Sequence, residues 1–441
     1  MLASPAAMAE KKTVITESQA FAIFFERNLG LIASRYNIDS GEAERLLAST
    51  LPNPKVGFEF YELNPAMNDS GQDPSRRWPL GASPAWSVRI EQLVITAGKR
   101  RLRTEAAEAG TQALQYDLED DIRVLGNALR HALNGLHLAQ KNADLAGDNV
   151  SRYQHILDIN RARLQTGDIA ATDFARIEVE SLKAEADADQ MRSALIQARS
   201  ELLLLLGWPE SYATQSLYVE DAWPAATMTT SSGTRSPDAQ IRSALENRPD
   251  LQAARIRVSQ AEHNAELARR LIIPDITLVG YFLRDPGNFY TNTGGIGFNM
   301  ELPLFNQFNG NIAKAGVELN QARLYIRQNE QAIHADVTRA EANWQSALSI
   351  TQRFENSVLS RIEQLRQAEE YAYQRGRASL LQLIDAERNY KAMMMDYHVA
   401  QANRSNAWAD LQAAVGASLE KITIDKEMGS DTRKIAERNH R

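Results

Sequence analysis

The chain has 441 residues, 49 Lys and Arg against 56 Asp and Glu, a formal net charge of −7 and no cysteine. The acidic balance argues against a general nucleic-acid binder, which needs a basic face; the missing cysteine excludes disulfides, thiolate metal sites, thiol catalysis and a lipid carried on an N-terminal cysteine. Apolar residues at 44% and charged residues at 24% suit a folded chain, and no stretch approaches the ~20 apolar residues of a spanning helix, although a membrane β-barrel stays open because its strands alternate.

In chain order, Ala7, Met8 and Ala9 before Glu10 resemble the cleavage end of an export signal that lacks its charged and apolar parts. Residues 1–15 are read as a signal remnant or an unstructured start. Proline then divides the chain. Of the 14 prolines, six lie between Pro52 and Pro84 and seven between Pro209 and Pro303, with none in 85–208 or 304–441. Proline breaks helix interiors, so the proline-free stretches, rich in Ala, Gln, Glu, Arg and Leu, are expected to be long helices of ~100 Å. The proline-containing windows hold period-two patterns. Val56, Phe58 and Phe60 alternate with Gly57, Glu59 and Tyr61; Trp86, Val88 and Ile90 with Ser87, Arg89 and Glu91. Ile276, Leu278 and Phe282 follow the same rule, as do Ile296, Phe298, Met300, Leu302 and Leu304. Loops rich in Pro, Gly, Asn and Asp, at 63–85 and 284–294, join the paired strands.

The chain repeats itself. A shift of 209 brings Leu93 onto Leu302, Gly167 onto Gly376, Glu178 onto Glu387, Asp187 onto Asp396, Leu202 onto Leu411 and Gly207 onto Gly416. Upstream the shift is 220: Leu31 meets Leu251, Arg35 meets Arg255, Glu42 meets Glu262 and Pro54 meets Pro274. The longer first hairpin loop absorbs the difference, and the joint register indicates duplication. The first repeat is expected over 16–208, with strands at about 55–62 and 86–95, a long helix at about 98–165 and a returning helix at 169–206. A connector follows at 209–237. The second repeat covers 238–416, with strands at about 275–283 and 295–304, a long helix at about 310–375 and a returning helix at 378–415, before a polar tail at 417–441. Each repeat reads helix, strand, strand, long helix, helix.

Four strands with one apolar face cannot close a barrel alone, and an open edge in lipid leaves backbone groups unsatisfied. Three copies would supply a closed barrel whose polar faces (Glu59, Arg89, Glu91, Asn299, Glu301) line water. A soluble sheet packed on helices is the other reading of the same pattern.

At this point the residues resemble a known family. NRPDL at 247–251, the run 268–275 ending in Pro274 and Asp275, YQRG at 373–376 and SLLQLIDAER at 379–388 are similar to TolC-type outer membrane factors, and the first repeat carries weaker forms. The resemblance covers about 16–416. It implies a mainly α, TolC-like fold and a homotrimer with a 12-stranded outer-membrane β-barrel and a 12-helix periplasmic α-barrel. The 209–237 connector would be equatorial. The implied function is an exit duct of a tripartite efflux system that docks a periplasmic adaptor (membrane fusion protein) and an inner-membrane RND pump, with no catalysis and no cofactor.

The resemblance also assigns residues. Thr166, Gly167 and Asp168, with Arg375 and Gly376, would form the turns that meet the adaptor. Asp173 and Tyr373 would hydrogen-bond between neighbouring helices and hold the tip closed. Asp385 and Gln382 fall where family members carry pore-facing acids, and Gln382 departs from that pattern. Three copies of Asp385 would form a cation-attracting ring. The family's basic gate residue falls on Ala378, and Arg377 is read as its substitute. Each of these also fits an ordinary solvated helix face or hairpin turn.

Lys99, Arg100, Arg101 and Arg103, just after the second strand, are read as a membrane-interface basic cluster; a solvated first helical turn would look the same. Met393, Met394 and Met395 face different sides of a helix and make no soft-metal site. The seven histidines show no ligand spacing and no Gly-x-Ser-x-Gly nucleophile motif occurs, so no metal site and no enzyme are expected. The segments PNPKVGFEFYE (52–62) and TAGKRRLR (96–103) look most like the heavy-metal Czc/Cnr-type subgroup. Divalent-cation efflux is therefore expected, with multidrug or solvent efflux, type I secretion, or a pore-less periplasmic coiled-coil rod as alternatives.

Overall fold

The computed structural model describes residues 13–61, 85–208, 217–220, 223, 236–285 and 292–416. Of the expected unstructured start at 1–15, residues 1–12 lie outside them but Thr13–Ile15 form a strand, which corrects that expectation; the tail and most of the two hairpin loops and the connector lie outside them. The chain forms two compact units, one from residues 13–35, 116–251 and 328–416, the other from 36–115 and 252–327.

Each repeat opens on a broken helix pair. In the first, α1 (Glu17–Arg27) starts at a capping box in which Thr16 and Gln19 satisfy each other's backbone N–H groups. Asn28 ends it in an extended conformation, and α2 (Leu29–Ser49) follows. In the second, α5 (Pro237–Asn247) starts on the Ser236 cap and breaks at Arg248, and α6 (Pro249–Arg270) follows. Pro249 forces Arg248 out of the helical region. Asn28 does the equivalent with its amide: Oδ1 accepts from the Leu31 N–H at 3.0 Å, and Nδ2 donates to the Leu205 carbonyl at 2.7 Å.

The first repeat continues with β2 (Lys55–Tyr61), β3 (Ala85–Val94), α3 (Lys99–Thr166) and α4 (Ala171–Leu205). At 68 residues, α3 is about 100 Å long. The second continues with β5 (Ile276–Arg284), β6 (Asn292–Met300), α7 (Asn309–Arg353), α8 (Leu359–Gln374) and α9 (Leu380–Val415). Two features went unread in the sequence. Residues Phe354–Val358 form a π-helical turn between α7 and α8, which interrupts the expected continuous helix. A short parallel pair joins β1 (Thr13–Ile15) to β4 (Leu217–Val219) inside the connector. The last strand also ends earlier than expected: β6 stops at Met300, so Leu302 and Leu304 lie beyond it, where Pro303 has no N–H to give a ladder.

The larger unit's returning helices close on these breaks. Gly207, at φ +63, ends α4 with the Schellman pair Gly207 N–H to Leu204 O and Trp208 N–H to Leu203 O. A Cβ there would stand 2.3 Å from the Arg27 carbonyl oxygen, at the α1 break. At its repeat mate Gly416, φ +70, a Cβ would stand 2.9 Å from the Arg248 side chain and 3.2 Å from its backbone nitrogen, at the α5 break. Gly207→Ala is therefore expected to cost about 2–3 kcal/mol, the left-handed penalty plus the clash. A thermal-unfolding midpoint that matches the parent chain would contradict this packing.

The smaller unit holds the antiparallel sheet, ordered β2-β3-β5-β6. Its central pairing joins the two repeats, with Val88 opposite Phe282 and Ile90 opposite Gly280. The outer strands β2 and β6 carry no partner on their far edges among the described residues.

Candidate functional site

The helical hairpin turns belong to the larger unit. Gly167 (φ +81) directly follows α3 and Gly376 (φ +69) lies two residues past α8, each in a Schellman turn. Asp168 N–H reaches Arg163 O, and Arg377 N–H reaches Ala372 O, both at 2.8 Å. Thr166 Oγ1 donates to Asp168 Oδ2 at 2.7 Å, which stiffens the first turn. Thr166, Gly167, Asp168, Arg375, Gly376 and Arg377 are all exposed.

The expected gate residues separate into different environments. Tyr373 is buried, and its hydroxyl donates to Asn160 Oδ1 on α3. The Arg163 guanidinium lies 5.2 Å from its ring centre. Asn160 is fully buried, and its own amide N–H goes to the Ile156 carbonyl at 2.8 Å. The tyrosine's partner within the chain is thus an asparagine that the sequence reading did not single out. Asp173 stands half-buried in the first turn of α4. Gln382 is used locally: its Oε1 accepts the Ser379 N–H at 2.8 Å in the capping box that starts α9. Asp385 is exposed, with Arg388 3.8 Å away and itself in a two-pronged pair with Glu180 on α4.

Two residues on from Asp385, on another face of α9, lies a charged cluster that motif reading missed. Glu387 is 3% exposed at its side chain, with Arg366 at 3.4 Å and Arg152 at 3.5 Å. Arg366 also holds Glu363 at 2.9 Å and Glu370 at 3.1 Å. Both guanidiniums stack against the Tyr390 ring, at 5.0 and 5.1 Å. Hydrogen bonding to the Glu363 carboxylate, opposed by burial, holds the Arg366 guanidinium well above its ordinary value, so it stays charged. This network ties α3, α8 and α9 beside a cleft of ≈ 270 Å³.

The sheet, in the smaller unit, has one apolar face. The registers place Val56 opposite Ile90, Phe58 opposite Val88, Val88 opposite Phe282, Leu278 opposite Phe298 and Gly280 opposite Ile296. All of these side chains share one side. Val56, Phe58, Ile90, Leu278, Phe282, Ile296 and Phe298 are solvent-exposed in the single chain, Ile296 at 94%, while Val88 is half-buried. Glu59, Arg89, Glu91 and Asn299 occupy the opposite side, and Glu301 falls just past the strand.

The basic cluster divides. Lys99 is buried: its ammonium donates to the Ile273 carbonyl at 2.6 Å and pairs with Asp275 at 2.8 Å. Thr96 N–H also reaches Asp275, at 2.8 Å. Burial acts to raise the Asp275 carboxyl, but these donors hold it below its ordinary value. Lys99 therefore fastens the start of α3 to the start of β5 and leaves the surface set. Arg100, Arg101 and Arg103 remain exposed.

A family model described as "outer membrane efflux protein" matches residues 25–208 and 240–417, most of both repeats. The chain belongs to the outer membrane efflux protein family. Among curated relatives it is 23% identical over 377 residues to the cobalt-zinc-cadmium resistance protein CzcC of Cupriavidus metallidurans, covering 85% of this chain and 83% of that one. It is 27% identical over 399 residues to the cation efflux system protein CusC of Escherichia coli, covering 86% and 79%. Among solved structures, the Campylobacter jejuni CmeC outer membrane channel matches with a TM-score of 0.75 at 15% identity, over 98% of this chain and 93% of that one. The open-state Neisseria gonorrhoeae MtrE channel matches at 0.73 and 19%, over 92% and 90%. The fold is TolC-like, and family and fold are those of channel proteins.

In this efflux-family chain a polar seam runs between α3 and α9 of the larger unit. Asn127 and His131 meet Asp410 at 2.7 and 2.8 Å, Asn134 meets Asn406 at 2.8 Å, and His398 meets Asn142 at 3.0 Å. Burial first, then the Lys141 charge and His137, push the His398 imidazole down from 6.5 to about 4. The folded state therefore binds fewer protons than the unfolded state between these values. Stability from this site is complete above about pH 6.5 and falls as pH drops towards 4, by roughly 3 kcal/mol in all. His398→Gln is expected to flatten the acid limb of a thermal-midpoint profile across that window; an unchanged slope would reject the assignment.

Proposed function

We propose that the chain is the outer-membrane exit duct of a tripartite RND-type efflux system, working as a homotrimer. Three copies of the sheet, joined β6 to β2, close a 12-stranded barrel and remove every open edge. The apolar face then meets lipid, and Glu59, Arg89 and Glu91 line water. The observation that carries this reading is the predominantly apolar face across four strands, interrupted by Gln92 and by Arg284 and Asn292 at one end, in a sheet whose two edges are unpaired among the described residues. The exposed Schellman turns at Gly167 and Gly376 supply docking points for a periplasmic adaptor, which couples the duct to an inner-membrane RND pump.

The cargo we assign is divalent heavy-metal cations. Support comes from the cobalt-zinc-cadmium resistance relative and the cation efflux relative, each matched over more than four-fifths of this chain. A duct needs no tight cargo site. Asp385, exposed and lightly paired, would present a carboxylate ring at the pore and favour cations over anions. Asp173, Tyr373 and Arg377 are the proposed gate, and Gln382 acts through the cap that sets where α9 begins. A second reading, export of an organic cargo, draws on a 26% match over 61% of this chain to the pyoverdine export outer membrane protein OpmQ of Pseudomonas putida. Deleting the gene and measuring growth across Zn, Co, Ni, Cd, Cu and a panel of detergents, dyes and antibiotics separates the two. Sensitisation to divalent metals alone is expected. Sensitisation to organic compounds alone would transfer the assignment to the second reading.

A further inference from the structure

The turn between β6 and α7 is apolar where a soluble surface would be polar. Leu302, Leu304 and Phe305 are exposed, Phe305 at 101%. Local bonds order the turn: Leu304 N–H donates to Leu302 O at 2.8 Å, and Phe308 N–H to Asn306 Oδ1 at 3.0 Å. Its place in the sheet follows from the register. Val94 pairs with Ile276, Ile276 with Met300, and Gln92 Nε2 donates to Pro52 O at 3.0 Å. The turn therefore stands at the same sheet end as Pro52 and the start of α3. Exposed Arg100, Arg101 and Arg103 lie there, with Arg100 held by the Ser49 carbonyl at 3.0 Å.

Two magnitudes place this end at a membrane boundary. The 9 residues of β6 are about 30 Å long, or about 23 Å of depth at the ~40° tilt of a barrel strand, close to the ~25 Å apolar band of an outer-membrane barrel. Residues 302–305 therefore fall at the edge of that band. Leu302 follows two residues after Met300, the last residue of the strand and one on its apolar side. Apolar side chains at the edge of the hydrocarbon, beside guanidinium groups, match a phospholipid headgroup region, whose phosphates attract the cations while its acyl boundary accepts the rings.

We infer that the 302–305 turn is an interfacial wedge: Leu302, Leu304 and Phe305 insert at the acyl–headgroup boundary of the periplasm-facing glycerophospholipid leaflet, with Arg100 and Arg103 at phosphate level. The inference rests on the barrel reading above. It gives the chain a depth anchor made from its own side chains.

The chain has no cysteine, so a single introduced cysteine is a unique label site. Phe305→Cys, Ile296→Cys and Val317→Cys, all exposed positions, would each carry an NBD fluorophore on the full-length protein in phosphatidylethanolamine/phosphatidylglycerol vesicles. The label at 305 is expected to lose about half its emission to headgroup-attached nitroxide lipid while resisting iodide, as an interfacial group does. The label at 296 should respond to acyl-chain nitroxide, and that at 317 to iodide. Quenching at 305 by iodide alone would mean a solvated turn and overturn the inference. Resistance to both quenchers would mean that a second copy covers it, and would equally overturn it. Failure of the label at 296 to sense lipid would remove the barrel reading, and the wedge with it.

Discussion

Ile296→Arg is expected to keep the chain out of a bilayer, whereas Gly297→Arg, one residue along the same strand, is expected to be accepted. Ile296 lies at the middle of β6 opposite Gly280, on the apolar side, and Gly297 faces the other way opposite Val279. Nothing lies within 4 Å of where a Gly297 Cβ would stand, so a side chain there meets open space. An arginine facing lipid at mid-depth costs about 2–4 kcal/mol per copy, and that cost recurs in each protomer of a trimer. A lumen-facing arginine keeps its water. The fraction of protein that floats with vesicles in a density gradient measures this directly. Equal flotation of the two variants would mean that the sheet does not present the 296 face to lipid.

The second large effect is expected at Glu387. Removing its charge leaves Arg152 and Arg366 facing a pocket wall with no acid between them. Breaking a buried pair by deleting one partner costs several kcal/mol, but Arg366 keeps Glu363 and Glu370 and Arg152 is partly solvated. About 2 kcal/mol is therefore the expected loss for Glu387→Gln. Its repeat mate Glu178 lies exposed on α4, so Glu178→Gln should stay within about 0.5 kcal/mol. A double-mutant cycle between Glu387→Gln and Arg366→Met should show coupling of about 1–2 kcal/mol, read from chemical unfolding of the helical signal. Additive losses would mean that the two side chains act independently. Amide exchange in α8 and α9 should also quicken in Glu387→Gln if the network holds that hairpin to α3.

The contrast between Glu178 and Glu387 shows how far the repeat could be read. The two glutamates align under one shift, yet the position matching Arg366 in the first repeat is Leu157, a core residue. Duplication preserves the elements and their order. It does not preserve the partners, because each copy packs its helices against different neighbours. The same limit applies at the gate. YQRG announced a turn and a tyrosine, and both are there, but the bond from Tyr373 goes to Asn160, 213 residues away. No spacing rule connects them.

What the sequence determined by itself was everything with a local cause. Period-two alternation specified the sheet's two faces, because a strand's side chains alternate whatever it pairs with. Proline-free composition specified the long helices, and glycine specified the turns at Gly167 and Gly376, where φ is positive. Family motifs spread along both repeats specified the fold class. Only the tertiary structure decided what depends on segments far apart in the chain. It buried Lys99 against Asp275, which turned an expected surface cation into a fastener between α3 and β5. It gathered Arg152, Arg366 and Glu387 from three helices. The physical reason is common to both. Backbone conformation follows from a residue and its near neighbours, whereas burial and charge pairing follow from which surfaces meet, and that is settled by packing the whole chain at once.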